Sequence, residues 1–254
     1  MLNIIPIPAF EDNYIWLLHL NGYAVVVDPG DAAPVIEILQ TLNLTLSAIL
    51  ITHHHSDHID GVSDLLRYQA APVYAPQYEK FDFEHIKLAD GANIQLPTIA
   101  QSFRIMWLPG HTLGHIAYVN DDYLFCGDTL FAAGCGRLFE GTPAQMQASL
   151  ESLKGLNPNT KIFCAHEYTA KNIAFALTLE PENLDLQTRD RAVKRLRQLE
   201  LPSLPSNIAI ELSTNPFLRC NQASIIKNSH AEKSDALSVF TSIRTLRNHY
   251  YSST

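Results

Sequence analysis

Four of the chain's 11 histidines fall within six residues of the run Thr52-His53-His54-His55-Ser56-Asp57-His58. Imidazole nitrogens and a carboxylate are donors that a borderline divalent metal prefers, and the absence of cysteine from the cluster argues against a closed thiolate site. In extended backbone alternate residues face the same way, so His53 and His55 converge on one ion. Asp57 and His58, past a bend, are free to face a second. Three further donors stand just beyond predicted strand ends: His111 in Pro109-Gly110-His111-Thr112, Asp128 in Cys126-Gly127-Asp128-Thr129, and His166 in Cys164-Ala165-His166-Glu167. Five His and two Asp exceed one tetrahedral shell and suit two ions with one carboxylate bridging. Alternation turns His54 away from that rim, and His115 reads as a supporting or structural group rather than a donor. Cys126 and Cys164 end apolar strands and read as core, and Asp28 reads most simply as a turn residue, with support of a neighbouring ligand as a second reading.

The elements that must position these residues are short β-rich runs broken by turns and helices, up to about residue 165. Strands are predicted over residues 2–7, 14–20 and 23–27, the last two joined by the hairpin signal Asn21-Gly22. Asp31 caps a helix over residues 32–41, with Pro34 in its first turn. Residues 46–51 form a nearly continuous apolar run, the mark of a strand buried on both faces, and it stops where the histidines begin. A helix follows over residues 62–68, then strands near 73–75, 103–108, 116–119, 123–126 and 161–164, with a helix opened by Thr142-Pro143. From Tyr168 the pattern becomes helical, with Ile173 and Leu177, and then Leu186, Val193, Leu196 and Leu199, at three- to seven-residue spacing within each set, and no strand is predicted after Cys164. Residues 201–207, with Pro202 and Pro205, read as a kinked connection, and residues 235–250 as a final helix. The expected organisation is an α/β domain over residues 1–165 and a smaller helical domain over residues 166–254.

With 254 residues, 46% of them hydrophobic and 17% charged, the chain can bury a large core, which excludes general disorder. Its 18 Lys and Arg against 26 Asp and Glu give a net charge of −8, which argues against a broad basic footprint for nucleic acid or anionic lipid. The basic run Arg189, Arg191, Lys194, Arg195 and Arg197 reads as a solvated helix face. Residues 1–10 carry no Lys or Arg and hold Pro6 and Pro8, unlike a signal peptide, and no run approaches the ~18 apolar residues of a membrane span. Four cysteines without a CxxC pair fit reduced thiols, so a cytoplasmic protein with no nucleic-acid or membrane partner is expected.

The string His53-x-His55-x-Asp57-His58, followed by His111, Asp128 and His166, strongly resembles the HxHxDH pattern of the metallo-β-lactamase superfamily. That resemblance implies an αββα sandwich over residues 1–165. It places His53, His55 and His111 on a first metal, Asp57, His58 and His166 on a second, and Asp128 between them. Longer strings narrow the likeness: Phe10-Glu11-Asp12-Asn13-Tyr14, Gly127-Asp128-Thr129-Leu130-Phe131 through Gly134-Cys135-Gly136-Arg137, Glu140-Gly141-Thr142, His166-Glu167-Tyr168-Thr169 and Asn215-Pro216-Phe217-Leu218-Arg219. They resemble the glyoxalase II family, the hydroxyacylglutathione hydrolases, over nearly the whole chain. The likeness implies a glutathione pocket of Arg137, Tyr168, Arg244 and Arg247. The last two stand three apart on the final predicted helix, hence on one face, and can grip a small carboxylate. Two departures stand out: Arg247 replaces a common lysine, keeping charge but changing geometry, and Phe139 replaces the tyrosine of some relatives, removing a hydroxyl.

The activity so implied is hydrolysis of S-(2-hydroxyacyl)glutathione thioesters, S-D-lactoylglutathione to D-lactate and glutathione, the second step of methylglyoxal detoxification. The implied nucleophile is a hydroxide bridging two divalent ions, with Zn expected and Fe or Mn as alternatives, and with Asp57 and Asp128 as catalytic residues. A thiol of pKa near ~8.5 leaves without protonation, so no strong general acid is required. A monomer is expected. Two rival readings are an iron-dependent persulfide dioxygenase of the same fold, which the helical tail with Arg244 and Arg247 disfavours, and a non-catalytic metal-binding module, which the complete donor set disfavours.

Overall fold

A computed structural model describes residues 1–250. Six strands form one sheet in chain order: β1 (Asn3–Ala9), β2 (Asn13–Leu20), β3 (Tyr23–Val27), β4 (Thr45–Leu50), β5 (Val73–Pro76) and β6 (Ile86–Leu88). The first three are antiparallel and the rest parallel. Asn21 and Gly22, at φ 51° and 84°, turn β2 into β3 with the two positive φ values a tight hairpin demands. Residues 13–18 of β2 are all buried because the two faces of the strand enter different cores. Tyr14, Trp16 and Leu18 point into the space between sheets, whereas Ile15 and Leu17 meet a helical layer. In β4, Ala48 and Leu50 divide from Ile49 in the same way, which is why its sequence is apolar without alternation. The outer layer holds α1 (Ala32–Thr41), capped by the Asp31 side chain, then the single turn α2 (Ser56–Ile59) and α3 (Val62–Tyr68).

The second sheet is assembled from β7 (Asn93–Leu96), β8 (Gln101–Trp107), β9 (Ile116–Val119) and β10 (Tyr123–Gly127). A small hairpin of β11 (Leu130–Phe131) and β12 (Gly134–Cys135) interrupts it before β13 (Lys161–Cys164) and β14 (Ser206–Asn207) complete it. Its spatial order is β14-β13-β10-β9-β8-β7. The strand β14 corrects the expectation of none after Cys164: Ser206 pairs antiparallel with Ile162. Two residues in a proline-flanked connection are too few to show a period.

On the far side lie α4 (Pro143–Lys154), opened by a Thr142–Gln145 capping box, then α5 (Thr169–Leu179), α6 (Leu184–Gln198), α7 (Ile208–Thr214), α8 (Ala223–Ser229) and α9 (Ala236–His249). Met146, Leu150 and Leu153 of α4 and Val239, Phe240 and Ile243 of α9 belong to the same apolar cluster as the inner faces of both sheets. The result is an αββα sandwich extended by C-terminal helices. Arg189 departs from the solvated face predicted for it. The period of α6 turns it inward with Leu186 and Val193, where it donates to the fully buried Glu211 carboxylate at 2.5 Å. Among the described residues no helix is long and apolar enough to cross a membrane.

Candidate active site

The backbone leaves β4 extended as far as His55, at φ −62° and ψ 144°, and α2 then reverses it. His53 and His55 therefore face one side and Asp57 and His58 another. His53 Nε2 and His111 Nε2 each lie 3.0 Å from His55 Nδ1, and donors of all three lie within 4.8 Å of one another. A second group is formed by Asp57 Oδ2, which is 3.5 Å from both His58 Nε2 and His166 Nε2. Asp128 stands between the groups. Its Oδ1 is 3.5 Å from His58 Nε2 and 3.4 Å from His166 Nε2, while its Oδ2 is 3.4 Å from His111 Nε2. Asp128 Oδ1 and His58 Nε2 are buried without a hydrogen-bond partner, and such an orphan costs about 1–3 kcal/mol unless something else meets it. Imidazoles and carboxylates arranged in this way fit a binuclear metal centre.

Three of the inward nitrogens are fixed by what the outward nitrogen touches. His58 Nδ1 is 3.0 Å from Asp28 Oδ2, His166 Nδ1 2.9 Å from Asp12 Oδ1, and His111 Nδ1 2.8 Å from the Arg137 carbonyl. Acceptors at Nδ1 keep the proton there and leave the Nε2 lone pair directed inward. Asn13 Nδ2 donates to Asp57 Oδ2 at 2.8 Å, and Asp28 also accepts from the Thr52 backbone and hydroxyl, anchoring the loop where β4 ends. His115 belongs to neither group; its Nε2 accepts from the Asp128 backbone N–H at 3.2 Å, and its ring stacks on His53. Gly127, at φ 46°, makes this approach feasible, because a Cβ there would lie 2.3 Å from Thr52 Oγ1.

Burial opposes ionisation of Asp57 and Asp128, yet both carboxyls are held well below the usual carboxylate range. His58 and the Asn13 amide act on Asp57, and His166, His58 and His111 act on Asp128. Conversely, against the effect of burial, Asp128 and the Asp12 hydrogen bond raise His166 to about 9. Burial, His111 and His54 lower His55 to about 4.

Beside the two groups a cavity of about 170 Å³ is lined by Phe131, Cys135, Arg137, Tyr168, Asn172, Arg244, Arg247 and Asn248. Tyr168 stacks almost parallel on His166, ring centroids 4.7 Å apart, so the pocket and the second donor group share a wall. Arg247 is held by Asn172 Oδ1, which accepts from its Nε at 3.2 Å and its Nη2 at 3.1 Å. Arg244 donates through Nη1 to the Cys135 carbonyl at 2.7 Å and through Nη2 to Asn248. Among the described residues no carboxylate pairs with Arg137, Arg244 or Arg247, so this cavity is electropositive in an acidic protein.

Comparison with known proteins accounts for both features. Residues 9–166 match the metallo-β-lactamase superfamily and residues 167–250 match the hydroxyacylglutathione hydrolase C-terminus. A hydroxyacylglutathione hydrolase of Methylobacillus flagellatus is 55% identical over 250 residues, covering 98% of this chain and 100% of that relative. One of Vibrio campbellii is 50% identical over 254 residues, with the same coverage. The chain belongs to the hydroxyacylglutathione hydrolase family. Its fold is also that of the BLEG-1 B3 metallo-β-lactamase, with a TM-score of 0.63 at 24% identity over 86% of this chain and 99% of that one. A metallo-β-lactamase from Staphylococcus aureus gives a TM-score of 0.65 at 19% identity, over 100% of this chain and 75% of that one.

In this hydroxyacylglutathione hydrolase family member the structure brings six of the seven expected donors into two adjoining groups, with Asp128 between them, and all four expected pocket residues around one cavity. Sequence reasoning left Asp12, Asn13 and Asn172 without a role. Asp12 meets His166 across 154 positions and Asn172 meets Arg247 across 75, separations that carry no linear pattern. Asp28 is a turn residue, at φ 50°, and also the carboxylate that orients His58.

Proposed function

We propose that this chain hydrolyses S-(2-hydroxyacyl)glutathione thioesters, with S-D-lactoylglutathione cleaved to D-lactate and glutathione. The observation that carries the reading is the stack of Tyr168 on His166, which places an arginine-lined pocket directly against the donor groups. His53, His55 and His111 would hold one divalent ion, Asp57, His58 and His166 the other, and Asp128 would serve both; Zn is the occupant proposed. When bound, such ions supply Lewis acidity and a water activated near neutral pH. The chain's own part is to bind and orient. Arg137, Arg244 and Arg247 offer fixed positive charge to the carboxylates of the glutathionyl group, and Tyr168 flanks the path from that pocket to Asp128.

No side chain is asked to act as nucleophile. Cys126 and Cys164 are fully buried, which pushes the Cys126 thiol up and that of Cys164 to about 12. A thiolate with a parent pKa of about 8.5 leaves without a proton from the protein. We further propose a division of labour in which residues 1–165 supply most of the donors and residues 166–254 supply His166 and most of the pocket, in a protein acting as a cytoplasmic monomer. Its four free cysteines agree with a reducing compartment.

The test compares the lactoyl thioester of glutathione with that of a thiol lacking both glutathione carboxylates, on the same metal-replete protein. The reading predicts stoichiometric free thiol from both and a far lower KM for the glutathione ester. Equal KM values would remove the arginine pocket from the account, and no thiol from either would remove the hydrolase.

A further inference from the structure

Outside the donor groups, a buried titratable cluster surrounds Glu79. Its side chain lies in the connection between β5 and β6 and is only 3% exposed. A carboxylate placed there costs stability unless it is paired, and an apolar residue would fill the space at no such cost. One oxygen, Oε1, accepts a short hydrogen bond from the Thr112 hydroxyl. The other, Oε2, has no neighbour to answer it except His54, whose Nδ1 is 3.2 Å away. Gly114 is what admits the side chain: a Cβ at that position would sit 2.2 Å from Glu79 Cγ.

His54 and Thr112 are the chain neighbours of the first donor group. His54 sits between His53 and His55, and Thr112 follows His111. On the far side of the His54 ring, Nε2 is 3.3 Å from Glu140 Oε1, and the other oxygen of Glu140 accepts the Leu113 backbone N–H at 2.8 Å. The His111 carbonyl accepts backbone N–H bonds from Phe139 and Glu140. Two carboxylates thus enclose the His54 ring and the turn after His111 from opposite sides.

We propose that Glu79 is a positioning residue for the first metal subsite: through His54 and Thr112 its carboxylate ties the His53–His55 loop to the turn carrying His111, and Glu140 closes the same tie from the solvent side. This rests on reading His53, His55 and His111 as holders of one ion. The second group has its own holders in Asp12 and Asn13 and shares Asp28, which also anchors Thr52 beside His53; none of the three bonds to Glu79. The tie therefore acts on one subsite and spares the other. A side chain that only filled space would act on both alike, through general loosening.

The experiment measures zinc affinity of the full chain by competition with a chelator, with His55→Ala and His58→Ala as references for losing each ion and cobalt spectra to identify which remains. Glu79→Ala should weaken the first ion by roughly 10–100-fold and leave the second at its original affinity. Glu79→Gln, which keeps an acceptor for Thr112, should fall between Glu79→Ala and the parent. Thr112→Val, isosteric and buried, should reproduce the split, as should Gly114→Ala, which displaces Glu79 without deleting a polar group. Unchanged affinity for both ions in folded Glu79→Ala, or equal weakening of both together with a lowered Tm, would overturn the proposal. Should Glu79→Ala fail to fold, Thr112→Val decides by the same criteria. The readout needs no turnover, so a protein that shows the split yet leaves the thioester intact would retain the tie and lose the proposed activity.

Discussion

Asp128 is the residue with the most dependent on it, because its two oxygens face different donor groups while His115 holds its backbone N–H. Asp128→Ala should reduce both metal content and turnover by more than the ~10–100-fold typical of a residue that only touches a ligand. Elemental analysis beside kcat checks this; a variant retaining two ions and near-normal turnover would show that the carboxylate does not span them. The arginines make a different prediction. Arg247 is held by Asn172 and belongs to neither donor group, so its charge meets the bound substrate and its transition state alike. Arg247→Ala should therefore raise KM roughly tenfold to a hundredfold, the equivalent of a charged hydrogen bond worth about 1.5–3 kcal/mol, with kcat nearly preserved. Initial rates across a substrate series separate the two. Collapse of kcat at constant KM would place Arg247 in the chemistry instead.

At the scale of elements, the donor-bearing loops are held by turns that few residues can occupy. Gly127 ends β10 at φ 46°, and a Cβ there would lie 2.3 Å from the Thr52 hydroxyl, so Gly127→Ala meets both the ~1–2 kcal/mol of a left-handed L-residue and a clash with the Thr52 and His115 side chains. A fall in Tm with a matching fall in metal content is expected, because the displaced groups are Thr52, beside His53, and His115, which holds the Asp128 backbone. An unchanged melting curve would mean the loop relaxes freely. The strands and helices that carry this site were legible because their patterns are local: the hairpin at Asn21-Gly22, the doubly buried run at residues 46–51, the cap at Asp31. The seven donors were legible because they follow strand ends. What escaped was whatever depends on distant pairing. Two-residue β14 joins β13 from across the helical segment, and Glu211 of α7 accepts the Ala133 N–H between β11 and β12. Asn215 adds bonds to the Phe131 and Gly134 carbonyls, so one role of the Asn215-Pro216-Phe217-Leu218-Arg219 string is to clamp the hairpin that lines the pocket.

Across the whole molecule, the apolar cluster runs without a break from the inner faces of the sheets to α4 and α9, on both sides of residue 165. A chain ended after residue 165 would lose β14, His166 and the cover over Phe163 and Leu153. It should bind a hydrophobic dye and lack near-ultraviolet ellipticity, where the full chain should do neither. A cooperative melt from that fragment would show instead that the α/β part stands alone.

Thioester hydrolysis at a binuclear centre is tested in an oxygen-free vessel. Zinc-loaded protein with two ions per chain is given S-D-lactoylglutathione, and lactate and free thiol are followed together. Equimolar products are expected at the same rate with and without oxygen, because zinc offers no redox chemistry and hydrolysis needs none. An intact thioester in the presence of fully loaded, folded protein, or cleavage that appears only when oxygen and iron are supplied, would contradict this expectation.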